Sequence, residues 1–111
     1  MDWKTELAEA NANMETYRGA EPGTAAGFTA LHQASMATGA LSKKDKELIA
    51  LSIGISKQCV DCIGFHVKAA IAQGATRDEV AETVSVCVMM GGGPAYMYGV
   101  KALEAFDQLA A

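Results

Sequence analysis

Apolar residues recur along the chain at the three- and four-residue spacing of helices, and no segment alternates with the period of two that a half-buried strand requires. The expected fold class is all-α. Trp3, Leu7, Ala10, Met14 and Tyr17 lie on one stripe of a first helix that should end near Gly19. Pro22-Gly23-Thr24 punctuates, and a second helix from about Thr24 to Thr38 carries Phe28, Leu31 and Ser35 on one side before Gly39 stops it. Ser42, with Asp45 three residues on, reads as an N-cap with an acidic first turn and opens a third helix through Ile55. Leu48, Ile49, Leu51, Ile53 and Ile55 cover most of its circumference, which predicts burial on nearly all sides, by the domain or by another subunit.

A fourth helix should begin near Cys59 and run to Gln73, where Gly74 supplies the stop. The capping box Thr76-Arg77-Asp78-Glu79 starts a fifth, which continues through Val80, Val84, Val88 and Met89-Met90 and should end at Gly91-Gly92-Gly93. Pro94 suits the first position of a last helix carrying Val100, Leu103 and Phe106. The short loops make helices four, five and six antiparallel neighbours. The expected architecture is a compact bundle of about six helices.

A length of 111 residues fits one domain spanning residues 1–111 and excludes separate cofactor and substrate modules. Half the residues are hydrophobic but only 6% are aromatic, which predicts close packing by small side chains and an apolar face left open on a lone chain. A homo-oligomer of closed symmetry is expected. The net charge of −4, with no basic cluster longer than Lys43-Lys44, gives a phosphate backbone little to bind, so no nucleic-acid partner is expected. The start, MDWKTELAEA, has neither the basic nor the apolar region of a secretory signal, and the charge-free stretch Thr83 to Val100 is broken by Gly91-Gly92-Gly93-Pro94. A cytoplasmic protein without a membrane span is the expectation. No flavin, nicotinamide or haem motif is visible, so no cofactor is expected and electrons from such carriers must arrive through a partner.

Three cysteines are too few for an extracellular disulfide framework, and two of them form Cys59-Val60-Asp61-Cys62. At roughly 100° per residue, Cys59, Cys62 and His66 fall within an arc of about 60° on one helix face. Positions three apart on a helix lie within disulfide reach, and His66, one turn beyond Cys62, can take a thiol proton or stabilise a thiolate. Cys59 gains separately from the helix start, whose free N–H groups favour an anionic sulfur. Glu47 precedes Cys59 by 12 residues, and antiparallel packing of helices three and four would return it toward His66 as the carboxylate that orients the ring. Blander readings stand beside these. The cysteines can be small buried hydrophobes, and Glu47 a first-turn acid or a solvated partner of Lys43. A zinc-binding or interaction module would use Cys59, Cys62 and His66 as ligands, with Glu47, Asp61 or His32 as the fourth. A protein dithiol–disulfide exchanger would use the cysteine pair alone.

Glu47, the Cys59-Val60-Asp61-Cys62 segment and His66 together resemble the signature of the carboxymuconolactone decarboxylase superfamily in its alkylhydroperoxidase D-like branch, and the Gly-rich turn into Pro94-Ala95 is similar as well. The resemblance implies an all-helical fold, assembly into homotrimers or homohexamers, and reduction of a small hydroperoxide. Glu47, His66, Cys62 and Cys59 would be catalytic, with Cys62 attacking peroxide, Cys59 resolving, and no metal. An external dithiol or disulfide reductant protein would restore the dithiol. The family's peroxidase pattern has a histidine where this chain has Asp61, a carboxylate whose repulsion of a thiolate is screened if the position is exposed. The cysteine pair makes a carboxymuconolactone decarboxylase-type lyase the weaker reading. Cys87 reads as buried filler and His32 as a structural histidine, with lining of the site as its alternative; Met89, Met90 and Met97 read as amphipathic core residues, as do Tyr96 and Tyr98, which could otherwise reach a pocket or an interface.

Overall fold

Five helices follow one another in the computed structural model, which describes residues 1–111: α1 (Trp3–Ala20), α2 (Pro22–Met36), α3 (Lys43–Ser56), α4 (Val60–Ala72) and α5 (Arg77–Leu109). There is no strand, as the periodicity predicts. Local chemistry sets most boundaries. Ser42 caps α3 by accepting from the Asp45 N–H at 3.0 Å, and Thr76 and Glu79 close a reciprocal box at the start of α5. Gly74 takes a φ of +85° just past α4, where a side chain would be strained.

Three expected boundaries shift. Pro22 begins α2 rather than separating it from α1, because its fixed φ and missing N–H suit a first helical position. Cys59 stands just outside α4 as its N-cap. The predicted fifth and sixth helices follow directly on one another within α5, and the expected break between them falls at Gly92, whose φ of 70° and ψ of −151° are not helical. A kink results instead of a loop. Pro94 lies two residues beyond it, where the chain restarts its turn and a missing N–H costs little.

The core sits where α3, α4 and α5 pack together around Leu51, Ile55, Ile63, Val67, Val80, Val84 and Cys87. Helix α1 joins them through its N-terminal half. Trp3 is fully buried, donates its indole N–H to Glu104 Oε1 at 2.7 Å, and donates its backbone N–H to Gln108 Oε1. Gly64 of α4 makes room for this docking, because a Cβ there would lie 2.7 Å from Leu7 Cδ2 and 2.9 Å from the Trp3 ring. Of the predicted first stripe, Trp3, Leu7 and Ala10 are buried while Met14 and Tyr17 are exposed.

Helix α2 buries no residue, and Phe28 and Leu31 stand 69% and 62% exposed. Helix α3 is covered on one side only, with Leu51 and Ile55 inside and Ile49 and Ile53 about half exposed. Burial on nearly all sides therefore fails within a single chain. Met89, Met90, Tyr96 and Met97 are likewise exposed around the kink, so they are not core residues of this chain, whereas Tyr98 is partly buried against the core. No helix is long and apolar enough to cross a membrane.

Gly64→Ala should destabilise the fold by about 1–3 kcal/mol in a denaturant titration, since the added methyl meets packed side chains. Gly19→Ala, in a stretch of α1 with nothing near the new methyl, should leave stability unchanged or raise it by up to about 1 kcal/mol. Equal shifts of the same sign would refute the tight α1–α4 contact.

Candidate active site

The turn between α3 and α4 builds the site. Lys57 ends α3, Gln58 adopts a left-handed φ of 57°, and the Cys59 N–H returns to the Gly54 carbonyl at 3.0 Å. The chain thereby reverses within three residues, and α4 runs back along α3. Gly54 lets the helices close up, because a Cβ at that position would lie 3.1 Å from Cys62 Cβ. Any larger residue would push the second cysteine away.

Cys59 and Cys62 are joined as a disulfide, with Cα atoms 5.2 Å apart, inside the range such a bond requires. The Cys59 sulfur also accepts the Cys62 backbone N–H at 3.2 Å, so the helix start directs a donor at it. Both cysteines are partly buried. His66 follows one turn later on α4. Its Nδ1 lies 2.8 Å from Glu47 Oε2, an ion pair when the ring is protonated and a hydrogen bond when it is neutral. Glu47 is 7% exposed, so it is neither a solvated surface acid nor a partner of Lys43. The four residues singled out from the sequence, Glu47, Cys59, Cys62 and His66, thus lie on two adjacent helices in two bonded pairs.

Glu47 also lines a polar cavity of about 350 Å³ together with His32, Gln33, Lys43 and Gln73. His32 therefore stands nearer the site than a purely structural histidine. The same ring lines a second, more apolar cavity of about 570 Å³ between α1 and α2, beside Met14, Tyr17 and Phe28. Asp61 differs from expectation. It is only partly exposed, and its Oδ1 is buried without a hydrogen-bond donor, so solvent screens its charge less than at an open helix surface.

Cys87 is buried on α5, its thiol directed at the Ser52 carbonyl at 3.7 Å, and burial pushes that thiol above its ordinary range. It behaves as the inert filler the sequence suggests. No three of the His, Cys, Asp and Glu side chains are grouped so as to hold a metal ion, and the zinc reading loses two of its ligands to the disulfide. Two contributors escaped the sequence reading. Gly54 sets the α3–α4 spacing, and Glu6 of α1 faces Asp61. A lone glycine inside an apolar helix is a weak signal for the first, and nothing in the local pattern marks the second.

Comparison with known proteins agrees with this arrangement. Residues 22–105 match the carboxymuconolactone decarboxylase family, over more than half of the chain and including all four residues of the site. The chain belongs to that family. An uncharacterized protein of Cupriavidus necator is 39% identical over 108 residues, covering 97% of this chain and 96% of its own. The crystal structure of an apo carboxymuconolactone decarboxylase family protein from Legionella pneumophila superposes with a TM-score of 0.95 at 40% identity, covering 98% of this chain and 97% of that one. A family protein from Thermotoga maritima, for which a part in an antioxidative response has been suggested, superposes with a TM-score of 0.83 at 24% identity. That match covers 95% of this chain and 90% of the other, and it is a likeness of fold.

Thiol titration under denaturing conditions should find one free thiol in the oxidised protein, Cys87, and three after reduction. The two gained on reduction should react in the native state while Cys87 stays protected. Three free thiols before reduction would contradict the disulfide.

Proposed function

We propose that this carboxymuconolactone decarboxylase family member is a thiol-dependent peroxidase that reduces hydroperoxides through Cys59 and Cys62, with Glu47 and His66 carrying protons. The observation that carries the reading is the pairing of a helix-start disulfide with an imidazole one turn away, itself hydrogen-bonded to a buried carboxylate. In the reduced protein the Cys62 sulfur attacks the distal oxygen of the hydroperoxide. The O–O bond breaks, the alcohol leaves with the proton that His66 took from the thiol, and Cys62 becomes a sulfenic acid. Cys59 then attacks that sulfur and closes the disulfide, releasing water. Two thiols and one hydroperoxide thus give one disulfide, one alcohol and one water. Glu47, fixed on Nδ1, orients the ring and offsets its charge when it is protonated, leaving Nε2 for proton exchange. An external dithiol reductant reopens the bond by thiol–disulfide exchange.

Chain assembly is part of the same proposal. A helix that buries nothing, together with the exposed apolar residues of α3 and α5, favours a closed homo-oligomer, trimeric or hexameric as the resemblance implies. Light scattering on the wild type should give a mass several times that of the chain. Phe28→Glu combined with Met90→Glu should lower it, and a wild-type monomer at micromolar concentration would refute the assembly.

Reduced protein mixed with an organic hydroperoxide should lose two thiols per hydroperoxide consumed, and His66→Ala should slow that loss by about 100-fold. An unchanged rate in the variant would remove the relay. Rapid exchange with protein disulfides alongside negligible peroxide turnover would favour the dithiol exchanger instead. With sulfenic-acid trapping, Cys59→Ser should trap on Cys62; trapping on Cys59 in Cys62→Ser alone would reverse the roles.

A further inference from the structure

Across the contact that docks α1 on α4, two acids meet beside the dithiol. On α1, Glu6 stands three residues after Trp3 and next to Leu7; on α4, Asp61 stands three residues before Gly64, the glycine against which Trp3 and Leu7 pack. The helix contact therefore fixes the placement of the acids, and surface chance does not. Asp61 lies in the first turn of α4 between the two cysteines, and its buried Oδ1 has no hydrogen-bond donor. None of the five salt bridges involves either acid. Two carboxylates brought together without a cation repel, and one proton turns two acceptors into a donor and an acceptor.

We propose that Glu6 and Asp61 share a single proton across the α1–α4 contact, and that this acid pair is a positioning element for the Cys59–Cys62 dithiol, holding the charge at the first turn of α4 at one negative instead of two while the disulfide opens. The inference rests on the redox role proposed above for that dithiol. The hydrogen bond to Asp61 and its charge hold Glu6 above the usual carboxylate range, and Glu9 of the same helix adds to the rise. No cation is among the charges that bear on Glu6, whether from α1 itself or from α2, α4 and α5 packed against it. The sign follows. A carboxyl raised in the folded state favours the docked arrangement below its unfolded value, and that contribution is lost as pH rises through the folded one.

The chemical consequence falls on reductive opening. A thiolate of a dithiol reductant attacks one cysteine sulfur, the S–S bond breaks, and the other cysteine leaves as a thiolate in the first turn of α4. The reductant's second thiolate then attacks its first sulfur and displaces the protein cysteine, so the reductant leaves as a cyclic disulfide and its two protons and two electrons end on Cys59 and Cys62. A second full carboxylate charge beside the departing anion opposes this step, whereas a shared proton relieves it.

The test uses oxidised full-length protein and dithiothreitol, with no hydroperoxide present, so that a failure of peroxide turnover leaves it readable. The rate of disulfide opening, divided by the concentration of dithiothreitol thiolate, is followed from acid to mildly alkaline pH. In the wild type it should fall by about 3-fold as the pair ionises, the effect of one unit charge at ~6 Å in a water-like dielectric. Glu6→Gln, whose amide still donates to Asp61 but cannot titrate, should abolish that step while keeping the melting temperature. In the wild type, carbon NMR of the labelled glutamate carboxyls should show Glu6 titrating above the exposed glutamates. A Glu6 signal that titrates with the others, or a Glu6→Gln profile that overlays the wild type, would overturn the proposal.

Discussion

The close approach of α3 and α4 is the constraint on which the site depends. Gly54 leaves 3.1 Å between a would-be Cβ and Cys62 Cβ, and the reversal at Gln58 sends α4 back along α3. That one contact aligns Glu47, two turns before Gly54, with His66, about one turn after Cys62, at 2.8 Å. A side chain at position 54 would have to press Cys62 Cβ aside, because a Cβ there already lies closer to it than ordinary van der Waals contact. The placement of the Cys59–Cys62 disulfide and that of the Glu47–His66 pair are consequences of the same packing, so a change in helix spacing disturbs both.

Much of this was legible in the sequence because the relevant signals are local. The 3-residue spacing of the cysteines, the turn to His66 and the caps at Ser42 and Thr76 each depend on neighbours within one or two turns. The return of Glu47 to His66 was legible from a short loop between two helices, which permits little besides antiparallel packing. What escaped depends on distant partners. Whether Gly92 makes a loop or a kink is decided by how the two halves of α5 pack, and whether Asp61 is exposed is decided by α1, more than fifty residues earlier. What covers Ile49, Ile53 and Phe28, exposed in the single chain, is distant in the same way, since an apolar face states only that something should cover it.

Helix α1 carries more of the molecule than its exposed surface suggests. Its first two turns supply Trp3 to the core and to Glu104, whose carboxyl the indole N–H holds below its usual range. The same turns bring Glu6 to Asp61, where the shift has the opposite sign. The Trp3–Glu104 bond weakens as pH falls and Glu104 is protonated, whereas the Glu6–Asp61 contact weakens as pH rises and its proton is lost. Docking of α1 is therefore favoured in the interval between the two titrations.

For the relay proposed above, the outer end would follow from the burial of Glu47. One carboxylate oxygen is committed to His66, and the residue also lines the cavity with His32, Gln33, Lys43 and Gln73. In that proposal, protons entering or leaving Glu47 would use the cavity, since the packed face of α3 presents the apolar side chains of Leu48, Leu51 and Ile55. One wall of the cavity is α2, which buries none of its own residues and is fastened to α3 through Lys46, whose Nζ donates to the Ser35 and Ala37 carbonyls. A neighbouring subunit that covered Phe28 and Leu31 would therefore also fix the wall through which the relay reaches solvent. The apolar surface of α2 and the proton path of Glu47 are in this sense one structural problem.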